Sequence, residues 1–499
     1  MGPLPIFKRR FCGPSIVIVA AFLFLLSIAT LLSRPAYLER LPDVLPALEE
    51  QLPSFRDRNK SGSQTNKSGK KGGAASVSQK NKGWKFNPVR DANSYSLDSE
   101  QCNMAFPGLF AEIERGVDAQ KARGNITPKQ LNITERGRGA LRGMIVDQQL
   151  YILQETILEN EYDTTRAVAI LHAIHRAIIT SPEPLPNTEF AFSVADVVPD
   201  PEENNYPIWG LTRKAEDEEI WLMGDFGYWS WPLDLVGGYD EVRRKIAEAE
   251  VKFEQKTKKA VWRGAVATNG HREELIKVTK DKEWADVRAI VWAGISDLIS
   301  EDQAKALSMS EHCKYQFVIH TEGHSYSGRG KYLQNCNSVV IMHKRMWIEP
   351  HHALLVADGP KQNFVEVAED FSDLEAKVTE LLAHPERAKK IAQNGADTFR
   401  DRYLTPASQV CYWRELLRGW ASVSFEPQLW NVDKDGARTT MRGVPFETFV
   451  YVPCLCRYSC SFHCLLTRFF FFLYCRLQSI MVQPAPAKCK WLGRFLGQC

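Results

Sequence analysis

The chain has 499 residues, of which 44% are apolar and 25% charged, an ordinary globular composition that excludes a wholly disordered or collagen-like polymer. The length allows one to three domains. Sixty-three Lys and Arg against 60 Asp and Glu leave a formal charge of +3, so no global field draws a polyanion and no nucleic-acid partner is expected.

Residues 1–14 form a short tail carrying Lys8, Arg9 and Arg10. Residues 15–33 (SIVIVAAFLFLLSIATLLS) are nineteen positions without a charge; as a helix they reach roughly 28 Å, close to the hydrocarbon thickness of a bilayer. The basic residues before them keep the N-terminus cytoplasmic. The expectation is an uncleaved signal anchor of a single-pass type II membrane protein, in preference to a cleaved signal peptide. Residues 34–95 read as a disordered basic stem: between Arg56 and Arg90 ten Lys or Arg face one Asp, with few apolar residues. Asn59, Asn66, Asn125 and Asn132 each open an Asn-x-Ser/Thr sequon, which fits a luminal glycoprotein.

The body then alternates. Thr165 to Thr180 carries Val168, Leu171, Ile174 and Ile178 at helical spacing, and the proline run after Ser181 ends that helix. Glu189 to Val194 reads as a strand leading into Ala195 and Asp196. An aromatic, glycine-broken stretch, Met223 to Pro232, precedes a charged helix from Tyr239 to about Gln255. From Lys258 the pattern becomes strand, loop, helix, repeated: a strand at Lys259–Trp262, a helix at His271–Thr279 capped by Thr268 or Asn269, a strand at Tyr315–His320, the loop Gly323–Gly330, a short helix from Lys331, a strand at Ser338–Met342 and amphipathic helices at Ser372–Leu382 and Pro385–Tyr403. Such alternation predicts an α/β fold with a helix-covered parallel sheet.

Two loop-to-helix junctions offer unpaired backbone N–H groups beside basic side chains, the physics of a phosphate site. One is Trp262-Arg263-Gly264; the other runs Ser327-Gly328-Arg329-Gly330-Lys331. Neither matches the spacing of an NTPase or dinucleotide loop. Asp196, at a strand end, has the position of a general base, although spacing alone favours a turn or cap; Asp225 is the competing carboxylate. Tyr228, Trp229 and Trp231 suit sugar stacking or a core. Asp433-Lys434-Asp435 is followed by Gly436 and reads as a polar turn rather than a metal motif. His351 and His352, taken as strand neighbours, would point to opposite faces, near a nucleotide rather than on a metal. Residues 451–499 hold seven of the 12 cysteines and a Phe-rich run; they have no folding logic and read as a gene-model artefact.

WRGAVATN (262–269), HTEGHSYSGRGKYLQNCNSVV (320–340), EPHHALLVADGPKQNFVEV (349–367) and FRDRYLTPAS (399–408) together closely resemble the fungal branch of glycosyltransferase family 90, the capsule-associated-protein family, related to protein O-glucosyltransferases. The likeness runs from about Glu189 to Val450. It implies a GT-B-like fold of two Rossmann-like domains facing a cleft: residues 96–257 on the acceptor side and 258–450 on the UDP-sugar side. It implies an inverting, metal-independent transfer of xylose or glucose from UDP to a hydroxyl on a capsule or cell-wall glycan, a glycolipid or a protein, in the Golgi or endoplasmic reticulum. No cofactor is implied, the UDP-sugar being a substrate. Asp196 matches the catalytic base. Arg263 with Gly264, and Gly323 with Ser327, Arg329 and Lys331, match the diphosphate-gripping motifs. The rival classes are a non-catalytic luminal carbohydrate-binding or scaffold protein that keeps the fold, and a glycoside hydrolase using Asp196 with Asp225.

Overall fold

A computed structural model describes residues 81–457, apart from 135, 159, 201–202, 232–235 and 291–305. The membrane segment at 15–33, most of the stem and residues 458–499 lie outside the described residues. Among the described residues no helix is long and apolar enough to cross a membrane.

The body starts earlier than the sequence suggests. Asn81 donates to Asp98 and Glu100, Asn87 caps a helical turn at Pro88–Asp91, and Trp84 and Phe86 pack on the main core. Residues 81–95 therefore belong to the fold and not to the stem, because two aromatics hidden in a basic stretch supply apolar surface to bury. Helix α1 (Ser99–Ala105) opens with a reciprocal Asp98–Gln101 capping box, and α2 (Ala111–Arg123) follows. Strands β1 (Ala140–Val146) and β2 (Gln149–Glu155) form a hairpin. Helix α3 (Glu161–Ile179) is capped by Asn160 and buries Ala167, Ile170, Leu171, Ile174 and Ile178, one apolar stripe at helical spacing. Strands β3 (Thr188–Ser193), β4 (Ile208–Gly210) and β5 (Ile220–Leu222) complete this half's sheet.

A two-residue pair, β6 (Ser230–Trp231) with β7 (Gly237–Gly238), leads into α4 (Tyr239–Ala249). The second half then alternates as expected: β8 (Thr257–Gly264), α5 (Gly270–Thr279), β9 (Ala285–Ala289), β10 (Tyr315–His320), α6 (Gly330–Leu333), β11 (Val339–His343), β12 (Val365–Val367), α7 (Leu374–Ala383) and α8 (Pro385–Gly395). Its five strands are ordered β12-β11-β10-β8-β9 and all pair in parallel. Parallel strands buried on both faces need near-continuous apolar runs, which YQFVIH and VVIMH provide. After α8 the helix widens into a π-helical stretch at Ala396–Tyr403.

Helix α9 (Pro406–Ala421) returns to the first half. Its Trp413, Leu416, Leu417 and Trp420 join Trp209, Trp221 and Phe190 in the main core, and a disulfide ties Cys411 to Cys102 of α1. The hairpin β13 (Trp430–Val432) and β14 (Arg438–Met441) and the edge strand β15 (Val444–Pro445) follow, then α10 (Phe446–Arg457). Two expectations need adjustment. The first sheet, ordered β15-β2-β1-β3-β4-β5, is parallel only across β3, β4 and β5 and antiparallel elsewhere. Residues from 406 onward also pack with the N-terminal half, because α9 is apolar on too many sides to lie on the surface of the second sheet.

Candidate active site

The donor-type loops sit at the C-terminal ends of β8 and β10, where a parallel sheet leaves a crevice. Asn269 closes the first junction: its side chain accepts from the Arg272 N–H at 3.2 Å and donates to the carbonyls of Glu322 and Gly323 at 3.0 and 2.7 Å, fastening α5 to the glycine-rich loop. Two glycines are required by close approach. A Cβ on Gly264 would lie 2.4 Å from the Trp262 ring, and one on Gly323 would lie 2.9 Å from the Tyr326 carbonyl and 3.5 Å from Nη2 of Arg272.

The arginines divide into two kinds. Arg263 is buried and its guanidinium is taken up: Nη2 lies 2.9 Å from both carboxylate oxygens of Asp286, and Nη1 donates to the carbonyls of Trp262 and Asp286. Burial alone would raise the Asp286 carboxyl, but hydrogen bonds from Arg263 and Tyr315 bring it below its ordinary value. Arg329 is different. Its Nη1 donates to the Arg263 carbonyl, and no carboxylate faces it among the described residues. Burial, with Arg272 beside it, lowers its guanidinium to about 10. Arg272, also lowered to about 10 by burial, donates to the carbonyls of Glu322 and Ala265 and to the Thr268 hydroxyl. Both guanidinium carbons lie 5.9 Å from the Trp262 ring. The nearby Glu322 turns its Oε1 to the N–H groups of Met346 and Trp347. Arg272, buried in the first turn of α5, and Arg329, half-buried at the start of α6, are cations with no acid between them among the described residues, an arrangement whose charge an anion can neutralise. Arg272 escaped the sequence reading because it lies inside a helix; its position one turn from the Asn269 cap was the available signal.

Lys331 is fully buried and its Nζ lies 2.7 Å from Oδ1 of Asp225. Asp225 also accepts from the Gly227 N–H at 2.5 Å and from the Tyr326 hydroxyl. This pair is an internal staple between the aromatic segment and α6, so the Lys331 ammonium is directed at a carboxylate and not toward Arg272 and Arg329. Ser327 is half-buried and its carbonyl accepts from the Gly330 N–H that opens α6.

Asp196 follows β3 and keeps 40% of its side chain exposed, with Oδ1 held by Nη1 of the buried Arg166 at 2.7 Å. The Arg166 guanidinium lies 4.7 Å from the Phe226 ring. Phe226 packs on Trp231 at 5.0 Å, and a Cβ on Gly328 would lie 2.8 Å from the Trp231 ring. Direct packing therefore runs from the carboxylate to the arginine-bearing loop. Of the three aromatics, Tyr228 packs on Tyr239 and Trp229 lies between His172 and Arg176; Trp231, half-buried, adjoins the loop.

His351 and His352 begin a turn and not a strand, so their rings sit 4.9 Å apart instead of on opposite faces. With Glu349 they are the only grouping of potential metal ligands among the described residues, their ligand atoms lying within 4.8 Å of one another. Glu349 and His352 already satisfy each other: Nε2 is 3.2 Å from Oε2, and Nδ1 accepts from the Glu349 N–H. Burial raises the Glu349 carboxyl and lowers both histidines to about 3. Asp433 accepts from the N–H groups of Asp435 and Ala437 across an exposed turn, with Gly436 at φ +81°, as a polar turn requires.

Comparison with known proteins gives the same direction. Protein O-glucosyltransferase 1 of Rattus norvegicus is 25% identical over 344 residues, covering 66% of this chain and 82% of that protein. The human protein of the same name is 25% identical over 366 residues, covering 69% and 88%. The O-glucosyltransferase rumi homolog of Anopheles gambiae is 28% identical over 232 residues, covering 44% and 56%. The family described as "Glycosyl transferase family 90" matches residues 99–434, more than half of the chain, and with the mixed α/β body and its parallel sheet this places the protein in glycosyltransferase family 90.

Proposed function

We propose that this protein is an inverting glycosyltransferase that moves glucose or xylose from UDP to a hydroxyl acceptor, in a GT-B-like arrangement with the cleft between its two halves. The observation that carries the reading is the Arg272–Arg329 pair: a buried and a half-buried guanidinium, each lowered to about 10, with no carboxylate facing either among the described residues. Such a pair is costly to bury unless an anion such as a diphosphate completes it. In the proposed reaction the acceptor O–H loses its proton to the Asp196 carboxylate as its oxygen bonds to the anomeric carbon. The carbon–oxygen bond to the β-phosphate breaks, and UDP departs with the electron pair toward Arg272 and Arg329. Attack and departure on opposite faces invert the anomeric centre. Fixed arginines supply the charge that a metal would otherwise bring, so no cofactor is proposed.

The relatives' names, which speak of O-glucosyl transfer, favour glucose and an oxygen acceptor. The disulfides Cys102–Cys411 and Cys313–Cys336 suit an oxidising compartment, which supports a luminal catalytic body in the Golgi or endoplasmic reticulum, anchored through residues 15–33. The test is UDP release by the purified protein across a panel of UDP-sugars, with and without EDTA. Release from UDP-glucose or UDP-xylose that persists in EDTA is expected. Glycan binding without binding or turnover of any UDP-sugar would replace the proposal with the scaffold reading.

A further inference from the structure

We propose that Arg166 is a positioning residue for the general base, clamping one oxygen of Asp196 so that the other faces the acceptor as a carboxylate; this rests on the transfer reading above. Arg166 stands on α3, with 5% of its side chain exposed. Its Nη1 donates to the Val194 carbonyl at 2.9 Å and to Oδ1 of Asp196 at 2.7 Å. Nη2 meets the Tyr162 hydroxyl. The guanidinium carbon lies 3.9 Å from the Tyr162 ring and 4.7 Å from the Phe226 ring. The head group is thus fixed by backbone, hydroxyl and two aromatic faces before Asp196 is counted. Oδ2 of Asp196 has no hydrogen-bond partner among the described residues, and it belongs to the exposed part of the site.

A structural ion pair is the plain alternative, but the asymmetry argues against it. An exposed pair adds little to stability, and burying an arginine to meet a half-exposed carboxylate is a poor way to gain any. The other charged groups around the pair are already matched: Asp163 with Arg138 at 2.8 Å, Asp200 with Arg136 at 3.7 Å, and Asp225 with Lys331 and Tyr326. Among the described residues Arg166 is the only cation in contact with Asp196, so it sets the orientation of the base.

The test compares kcat and donor KM for the wild-type protein, Arg166→Gln and Arg166→Lys, with UDP affinity by calorimetry and Asp196→Asn as the reference. Arg166→Gln is expected to lower kcat about 10- to 100-fold with little change in donor KM, the mark of a misplaced base in a site that still binds donor. UDP affinity should stay within about twofold, because Arg272 and Arg329 are untouched. Arg166→Lys keeps the charge but not the fork, so kcat should fall several-fold, less than in Arg166→Gln, with donor KM again little changed. That variant decides the matter if Arg166→Gln folds poorly, since wild-type kcat in Arg166→Lys overturns the clamp. Wild-type kcat in folded Arg166→Gln, with Asp196→Asn inactive, overturns the inference and leaves the base assignment standing. Turnover by Asp196→Asn overturns the base assignment itself and Arg166's role with it.

Discussion

Arg329 donates through Nη1 to the backbone carbonyl of Arg263, while the Arg263 guanidinium closes on both oxygens of Asp286. Two residues that a sequence motif groups as equivalent phosphate ligands therefore have different duties. Among the described residues no carboxylate meets Arg329, whereas Arg263 is paired with Asp286 and holds Arg329 by its main chain. The Trp262 ring lies 5.9 Å from the guanidinium carbons of both Arg329 and Arg272.

This division predicts opposite phenotypes. Arg329→Ala and Arg272→Ala should each weaken UDP binding about 10- to 150-fold, the span of a charge-assisted contact worth about 1.5–3 kcal/mol. Arg263→Met should leave UDP affinity within a few-fold and instead lower the unfolding free energy by about 1–3 kcal/mol, because the Trp262 and Asp286 carbonyls lose a donor while the half-buried Asp286 carboxylate keeps only Tyr315 and Arg288. Isothermal titration and urea unfolding separate the two. A folded Arg263→Met protein that no longer binds UDP would return Arg263 to the diphosphate ligands.

The two candidate carboxylates separate in the same manner. Asp196 is accessible and makes one hydrogen bond, whereas Asp225 is 4% exposed and engaged by Gly227, Lys331 and Tyr326. Asp196→Asn should lower kcat about 10²- to 10⁴-fold, the usual contribution of a general base, with UDP affinity unchanged. Asp225→Asn should act on stability first, since it strands the Lys331 ammonium in the interior. The hydrolase reading requires both carboxylates to be indispensable to turnover in folded protein. If the asparagine variant at 225 melts early yet turns over normally at low temperature, that reading is gone.

The second half of the body was legible in the sequence because parallel strands are apolar runs bounded by turns, and YQFVIH and VVIMH announce themselves. Helices α5 and α7 follow from the same periodicity. The first half was harder. Its β1–β2 hairpin turns at Asp147 and Gln148, both at positive φ, without the Asn-Gly or Asp-Gly pair that marks such a turn. The return of α9 to the first core is a tertiary decision that no local pattern carries. The same holds within the site. Motif spacing finds Arg263 and Lys331, but only the fold shows that Asp286 and Asp225 claim their charges. Arg166, thirty positions before Asp196 in the chain, reaches it because α3 packs across the end of β3.

The disulfides yield a prediction about two different properties. Cys102–Cys411 spans 309 residues and joins α1 to α9 within the main core. Replacing both cysteines by alanine should cost about 2–5 kcal/mol of stability, since a long loop is released in the unfolded chain. Cys313–Cys336 spans 23 residues and brackets β10, the glycine-rich loop and α6. Its removal should cost less stability but raise the KM for the UDP-sugar, because the loop bearing Arg329 loses an anchor at each end. Differential scanning calorimetry and donor kinetics on the two double mutants check the pair. Equal thermal losses with unchanged donor KM would refute the second half.

Acid sensitivity follows from the buried histidines, and its sign is fixed. Burial lowers His312 and His343 to about 4, His351 and His352 to about 3, and His320 well below its ordinary value. In the unfolded chain each titrates near its ordinary value, so below about pH 6.5 the unfolded state binds protons that the native state refuses. Stability is therefore full above that pH and declines as pH falls toward the depressed native values. The slope is on the order of 1 kcal/mol per histidine per pH unit, discounted where local opening relieves burial. Glu322, Glu349 and Glu415 are raised by burial and act in the opposite sense, favouring the native state as pH drops through the range just above the usual carboxyl value. Five histidines outweigh three carboxyls until that lower range is reached. The melting temperature should fall steadily between pH 7 and pH 5.5, before ordinary carboxylates titrate, with net proton uptake on unfolding measurable by calorimetry in buffers of different ionisation enthalpy. A melting temperature that stays level over that interval would show that the histidines are not held neutral in the core.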